Sequence, residues 1–444
     1  MWNGSLVRTP AVRARRATRS RDCSASASEF TGTRTAYSSP ERSVTTAESK
    51  RCVVELESGR EPTMSAPATA EVASAARVRW DLAIASRVGR PGPATVFATH
   101  DWATMSRAFQ ASLPLARHGV DRDHATRSDL AALDALWGSA EARVLLLHRG
   151  RALAASGANP VGWDGFGSAP EVTVRPVIAL TEPRLLAEAV QAAEGDSAPV
   201  RLYLGRVTAG SAELPEGSPL FALALDDLLA ESYPAPAEWL DLRMVAADLD
   251  DVGAGVFTEA LAMANWHATH RFCPRCGSST AVEAGGWVRR CTKEDIELFP
   301  RTDAAVIVGI VDGDDRLLLG SNALWENNRF SLLAGFVEPG ESLESAAVRE
   351  IGEESGVVID DPEYVGSQPW PFPASLMVGF MARVSPDHAA ELRPDGDEIL
   401  ELRWFTREEI ADPRSDVLLP GRSSIARAIV ERWFGGPLPE RERA

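Results

Sequence analysis

From about Ala76 to Ala262, short apolar runs alternate with polar breaks that contain Pro and Gly. Runs rich in Val, Leu and Tyr at 142–154, 172–180, 200–207 and 219–225 predict β-strands bounded by turn residues. Apolar residues at three- and four-residue spacing predict helices over 181–195 and from Phe257 to His270. The stretch has α+β patterning, no recognisable active-site motif and no convincing short repeat, which predicts a scaffold or dimerisation domain. A sharper pattern follows at 335–357. Pro339 and Gly340 shape a loop, Ser342 is placed to cap a helix, and Gly356 is placed to end it. Between them Leu343, Ala346, Ala347 and Ile351 share one face, which turns inward.

At 444 residues the chain exceeds one ordinary domain. No apolar run approaches the ~18 residues of a membrane span. The net charge of −17 argues against nucleic-acid binding through bulk electrostatics, although local recognition of a nucleotide stays open. That charge is uneven. Residues 1–63 hold 11 Lys and Arg against 7 Asp and Glu, or +4, which leaves −21 for the remainder. This Arg- and Ser-rich start lacks an apolar period and is expected to be disordered. Two other readings are a targeting segment and a reading frame extended upstream of a true start at Met64. The expected organisation is a basic tail over 1–75, a scaffold domain over 76–268 and a metal-ribbon module over 269–301. A catalytic domain over 302–436 and a short tail over 437–444 complete it.

Five cysteines make no disulfide framework, and a reducing, cytoplasmic setting fits them better. Three cluster as Cys273-x2-Cys276 and, fourteen residues later, Cys291. A Cys-x2-Cys turn with a second arm at this distance is zinc-ribbon spacing. The usual fourth thiol would stand at 294, where the chain has Glu294. Zinc accepts carboxylate oxygen, so Glu294 is the expected fourth ligand, with Asp295, His267 and His270 as alternatives. The competing reading is a metal-free ribbon packed around Trp287 and Phe299.

On the capped helix, Glu350, Glu353 and Glu354 stand at i, i+3 and i+4 and project together. Three adjacent carboxylates repel one another, and divalent cations between them would relieve this. Hard cations such as Mg2+ take carboxylate and phosphate oxygens, so the face predicts phosphoryl chemistry. A solvated acidic face would explain the carboxylates but not the Gly335, Arg349 and Gly356 at fixed offsets. Downstream lies SQPWPFPAS at 367–375. Its prolines predict an extended, poorly hydrogen-bonded segment that shows Trp370 and Phe372 as a stacking platform, with Gln368 and Ser375 as polar partners. The alternative is a Pro-rich loop whose aromatics pack in the core.

The run from Gly335 to Val357 resembles the Nudix box at every required position. SQPWPFPAS beyond it, with a zinc ribbon before it, resembles the NADH pyrophosphatase family over roughly 76–434. The resemblance implies an α/β Nudix fold, a mixed sheet sandwiched between helices, preceded by the ribbon and an N-terminal α+β, Nudix-like domain. It implies hydrolysis of the NADH or NAD+ pyrophosphate to AMP and NMN(H), and removal of NAD caps from RNA, with Arg271, Arg275, Arg289 and Arg290 as a local basic patch. Other implied possibilities are ADP-ribose or dinucleoside polyphosphate substrates, or a non-catalytic nucleotide sensor. Mg2+ or Mn2+ would be held by Glu350, Glu353, Glu354, Glu398 and the Ala334 carbonyl. Glu353 or Glu354 would serve as base, and Arg349 would orient the carboxylates through Glu341. Zn2+ would be structural. The substrate site would comprise Phe336, Gln368, Pro369, Trp370, Pro371, Phe372, Pro373, Ala374, Ser375, Met377 and Ala426, with Trp370 reaching across a homodimer. Phe299 stands where relatives carry Tyr.

Overall fold

In the computed structural model, which describes residues 108–155, 176–194, 198–210, 214–233, 238–388 and 391–439, the chain forms three sheets in succession. The first contains β1 (Val120–Asp121), β2 (Arg143–His148), β3 (Arg151–Leu153), β4 (Leu180–Thr181), β5 (Arg201–Val207), β6 (Pro219–Leu225) and β7 (Trp239–Asp241). The run expected as one strand over 142–154 is therefore a hairpin. Arg149 and Gly150 take φ of 49° and 76°, which turn the chain back on itself. Of the strand expected at 172–180, residues 172–175 lie outside the described residues, as does the expected basic tail at 1–75.

The helix expected over 181–195 is also corrected. Pro183 opens a 3-10 turn that ends at Leu185, and helical structure resumes only over Glu188–Gln191. Apolar spacing at 3.6 residues could not see that Leu186 is extended between them, with ψ of 150°. Among helices of eight or more residues, α1 spans Leu130–Trp137 and α2 spans Asp251–Thr269. The latter starts earlier than its apolar period because the Asp250 side chain accepts the Gly253 N–H. Its Ala254, Phe257, Ala260 and Leu261 pack into the same core as Leu145, Leu147, Leu202 and Leu204.

The small second sheet holds β8 (Thr280–Glu283), β9 (Val288–Cys291) and β10 (Glu297–Leu298). Gly286, at φ 93°, presses on β5: a Cβ there would stand 2.6 Å from Leu202 Cδ2. Next to it Trp287 Nε1 donates to the Tyr203 carbonyl at 2.8 Å, so the ribbon tip is seated on the first sheet.

The third sheet contains β11 (Asp303–Val311), β12 (Leu317–Asn322), β13 (Leu333–Phe336), β14 (Ile359–Trp370), β15 (Ser375–Val384) and β16 (Ile399–Phe405). Helices α3 (Leu343–Ser355) and α4 (Ile425–Phe434) cover its two faces through separate cores, Ala346 and Ile351 in one, Ile425 and Ile429 in the other. Its path, β14-β15-β11-β12-β16 with β13 on β11, repeats β5-β6-β2-β3-β7 with β4 on β2. In both, the parallel pair among the described strands is the central one, β11 with β15 and β2 with β6. Apart from β1, which adds a seventh strand on β5, the two domains share one strand order, a repeat that short sequence motifs did not reveal. The difference is the connection between β13 and β14, which carries α3. Among the described residues its counterpart between β4 and β5 carries the 3-10 turn and one helical turn, beside a cavity of about 670 Å³ lined by Trp137, Arg184 and Gln191. The described residues of the first domain thus repeat the strand order without a counterpart of the carboxylate helix.

Residues ahead of the first sheet belong to the third. Phe109 and Leu113 pack in the core around α4. The Gln110 side-chain amide pairs with strand edge β14, donating to Ser367 O at 2.8 Å and accepting from Ser367 N at 3.0 Å. No helix among the described residues is long and apolar enough to cross a membrane.

Candidate active site

Helix α3 forms as its caps dictate. Ser342 Oγ accepts the Ser345 N–H at 3.1 Å, and Gly356 closes the helix at φ 71°. Ala346, Ala347 and Ile351 are fully buried against the sheet. That burial fixes the rotation of the helix and so separates its three glutamates. Glu354 is buried, Glu350 half-buried and Glu353 exposed. Glu354 Oε2 has no hydrogen-bond partner among the described residues. Its carboxyl is pushed up to about 8, first by burial and then by Glu398, Glu350 and Asp395. Burial raises Glu350 and Glu398 as well.

Arg349 sits among these charges. It donates to both Glu341 oxygens, at 3.1 and 2.5 Å, to Glu353 Oε2 at 3.0 Å and to the Phe336 carbonyl at 3.0 Å, and it lies 3.0 Å from Glu350 Oε1. The expected Arg349–Glu341 pair is present, and the hydrogen bonds from Arg349 hold the Glu341 carboxyl below its ordinary range.

The aromatic array differs from the expectation. Gln368, Pro369 and Trp370 are not a poorly bonded segment but the end of β14, in register with Met377, Leu376 and Ser375 of β15. Pro371, Phe372, Pro373 and Ala374 make the turn, with a cis Phe372–Pro373 bond. Trp370 is buried and packs in its own chain's first core, with Phe372 partly buried beside it. The core-packing alternative therefore describes much of Trp370. Gln368 is fully buried and has both ends occupied: Oε1 accepts from Leu115 N at 3.3 Å, and Nε2 donates to Ser423 O at 3.1 Å. It is a latch between segments rather than an open polar partner.

One cavity nevertheless collects Ala334, Phe336, Trp370, Ser375, Met377 and Ala426. At about 30 Å³ it is far smaller than the roughly 300 to 1,000 Å³ of ligand pockets, so admitting a ring requires its walls to part. Two residues from the first domain that hold this wall carry no signal in the sequence pattern. Asn265 Nδ2 donates to the Pro371 and Pro373 carbonyls at 2.9 and 3.3 Å, and the Arg243 guanidinium lies 4.0 Å from the Phe372 ring centroid. No local pattern could link Asn265 to a turn 106 residues away. Asp395 is likewise new: its Oδ1 accepts from the backbone N–H of Asp397, Glu398 and Ile399, shaping the turn that presents Glu398.

In the ribbon, Cys273, Cys276 and Cys291 bring their sulfurs within 4.8 Å of one another, a donor set that suits zinc. Hydrogen bonds from Ser278 hold the Cys276 thiol down at about 7. Glu294 follows in the turn, and its N–H donates to Cys291 Sγ at 3.3 Å. Its carboxylate lies 3.5 Å from Arg275, and the three thiols group without it in the metal-free fold. The alternatives are also engaged. His267 bonds Gly286 O and Arg289 at 2.8 Å each, and burial pulls it down to about 4. His270 bonds the Trp266 carbonyl, and Asp295 is exposed beside Arg290. The expected basic patch divides: Arg271 and Arg275 are exposed, Arg289 is buried, and Arg290 is paired with Glu283 and Glu297.

Three family models match in sequence. The NADH pyrophosphatase-like rudimentary NUDIX domain covers 141–266, the NADH pyrophosphatase zinc ribbon domain 268–299 and the NUDIX domain 300–427. A Mycobacterium bovis protein named NAD-capped RNA hydrolase NudC is 38% identical over 333 residues, which span 72% of this chain and 95% of that protein. The chain belongs to the NADH pyrophosphatase family of Nudix hydrolases. The NudC of Mycobacterium tuberculosis matches to the same extent. The human NAD-capped RNA hydrolase NUDT12 is 37% identical over 232 residues, 48% of this chain and 50% of that protein. The match of the rudimentary NUDIX domain to 141–266 agrees with the doubled sheet, in whose first copy the described residues show no counterpart of α3.

Proposed function

We infer that the chain hydrolyses the pyrophosphate of NADH and NAD+ with water, releasing NMNH or NMN and AMP, and that it removes NAD caps from RNA by cleaving the same bond. One observation carries the reading. Strand β13 places Ala334 and Phe336 on the cavity shared with Trp370, Met377 and Ala426, while its Gly335 lies against the Glu350 carboxylate. A ring held in the cavity would present its diphosphate to α3 across the width of one strand. The mycobacterial and human relatives, named for NAD-capped RNA, support the second substrate.

The carboxylates of the buried Glu354 and the half-buried Glu350 and Glu398, with the Ala334 carbonyl, would hold Mg2+ or Mn2+. Burial raises all three carboxyls, and the orphaned Glu354 Oε2 fits a group that gains a cation rather than a hydrogen bond. When bound, such ions neutralise phosphate oxygens and make water more acidic. Glu353, exposed and paired with Arg349, and Glu354, beside Glu350 and Glu398, are the two candidates for taking the proton. Arg349 ties Glu341, Glu350 and Glu353 to the Phe336 carbonyl and so keeps the helix in register with the cavity wall. Zn2+ on the three thiols would act structurally. The same reading places the protein in the cytoplasm, where free thiols persist, as a homodimer.

Chromatography of products from NADH, NAD+, NAD-capped RNA, ADP-ribose and dinucleoside polyphosphates, with and without Mg2+ or Mn2+, tests this. Cation-dependent release of AMP and NMNH from NADH is the expected result. Faster turnover of a substrate without nicotinamide would overturn the substrate assignment, and no AMP from any of them would leave a nucleotide-sensing module.

A further inference from the structure

Glu398 stands opposite α3 on the turn that leads into β16, and three contacts fix it there. Its carbonyl accepts the Ala323 N–H at 2.8 Å. Its N–H is taken by Asp395 Oδ1 at 3.0 Å. Its carboxylate Oε1 accepts from Asn322 Nδ2 at 3.2 Å. Asn322 ends β12 at the point where the pairing with β16 slips, after Ser321, which frees its side chain from the regular ladder. The orientation of its amide is set by its two partners. Oδ1 accepts the Leu324 N–H at 2.9 Å, so the oxygen faces the backbone and the NH2 faces Glu398.

We propose that Asn322 is a positioning residue for the cation site, acting through the Glu398 carboxylate. This rests on Glu398 being a cation ligand, as in the reading above. A ligating carboxylate with two equivalent oxygens rotates freely unless one is held. The Asn322 NH2 occupies Oε1 and leaves Oε2 as the oxygen that would be offered to a cation. The same bond supplies a donor to a carboxylate that lies near the acidic groups of Asp395, Glu350 and Glu354, and it does so without adding charge. Outer partners of this kind change metal affinity by roughly 10- to 100-fold when removed.

The test measures Mn2+ binding directly, by the electron paramagnetic resonance signal of free Mn2+, on the full chain stripped of divalent cations. Asn322→Ala and Asn322→Ser are compared with wild type and with Glu398→Gln. Serine keeps an oxygen for the Leu324 N–H and so preserves the turn, but it has no donor that reaches Glu398. Both Asn322 variants are expected to bind Mn2+ about tenfold more weakly, with melting temperatures in the absence of metal close to wild type. Wild-type Mn2+ affinity in both, alongside weakening in Glu398→Gln, would overturn the role of Asn322 and leave the cation site standing. Loss in Asn322→Ala but not in Asn322→Ser would also overturn it, since the turn rather than the amide would then be responsible. Unchanged affinity in Glu398→Gln would instead remove Glu398 from the ligand set.

Discussion

Gly335 lies directly under the Glu350 carboxylate: a Cβ built on Gly335 would stand 1.9 Å from Glu350 Cδ and 2.1 and 2.2 Å from its oxygens. The glycine is required by this close approach, since a methyl there would occupy the space of the carboxylate. A carboxylate is the far end of a flexible side chain, so Gly335→Ala should fold and should push Glu350 aside. Misplacement by about 1 Å costs on the order of 100-fold in rate. The expected result is a kcat for NADH lowered by about that factor with an unchanged circular dichroism spectrum. A variant with wild-type kcat would mean that Glu350 is not held where catalysis needs it.

Glu354 gives the metal-free protein a pH dependence of stability with a defined sign. In the fold its carboxyl keeps a proton up to about pH 8, and in the unfolded chain only to roughly 4.3. Between those values the folded state binds more protons, so stability falls as pH rises. Glu350 and Glu398, also raised by burial, act in the same direction. Thermal melts without divalent cation should therefore show Tm declining from pH 5 to pH 9, and added Mg2+ should restore it most at the alkaline end. Glu354→Gln should flatten the slope while lowering kcat by orders of magnitude. The exposed Glu353→Gln should leave the slope intact, and a slope equally flattened by both would point to helix charge rather than burial.

The parts of this fold written in local signals were legible in the sequence. Ser342, the apolar face of α3 and Gly356 lie within fifteen residues, and each acts on its own neighbours. The doubled sheet was legible through the family resemblance, which implied a Nudix-like N-terminal domain, but not through local signals, because the match of β2–β7 to β11–β16 is one of strand pairing, set by long-range contacts that need no shared residues. Glu294 shows a middle case. The spacing placed it correctly in the second turn of the ribbon, but the direction of its side chain is decided by Arg275 on the other turn. The sequence offers Gln368 as a polar partner beside Trp370 and Phe372, and the family resemblance implies a place for it in the substrate site. What buries it is the segment at Leu115, 253 residues away.

That burial makes Gln368 sensitive to substitution in a way a surface ligand contact would not be. Gln368→Leu fills similar space but leaves the Leu115 N–H and the Ser423 carbonyl unsatisfied, at about 1 to 3 kcal/mol each. Tm should drop by several degrees. Ser423 leads into Ser424, Ile425 and Ala426 on the cavity wall, so KM for NADH should rise several-fold with a smaller change in kcat. Unchanged Tm with a raised KM would instead mark Gln368 as a direct substrate contact, and steady-state kinetics beside calorimetry separates the two.

Zinc retention offers a test of the three-thiol ribbon. With Glu294 beside Arg275, the thiols of Cys273, Cys276 and Cys291 would be the protein's principal hold on a zinc ion, one thiolate short of a four-cysteine site. Glu294→Cys places a fourth thiol in the second turn and should slow zinc loss to a chromogenic chelator by at least tenfold. Glu294→Ala should change the rate little, because the carboxylate is engaged elsewhere. If Glu294→Ala releases zinc much faster than wild type, then the carboxylate leaves Arg275 to complete the site. Arg275→Ala distinguishes the cases further: it frees Glu294 and should tighten zinc only where the ion competes with Arg275 for that carboxylate.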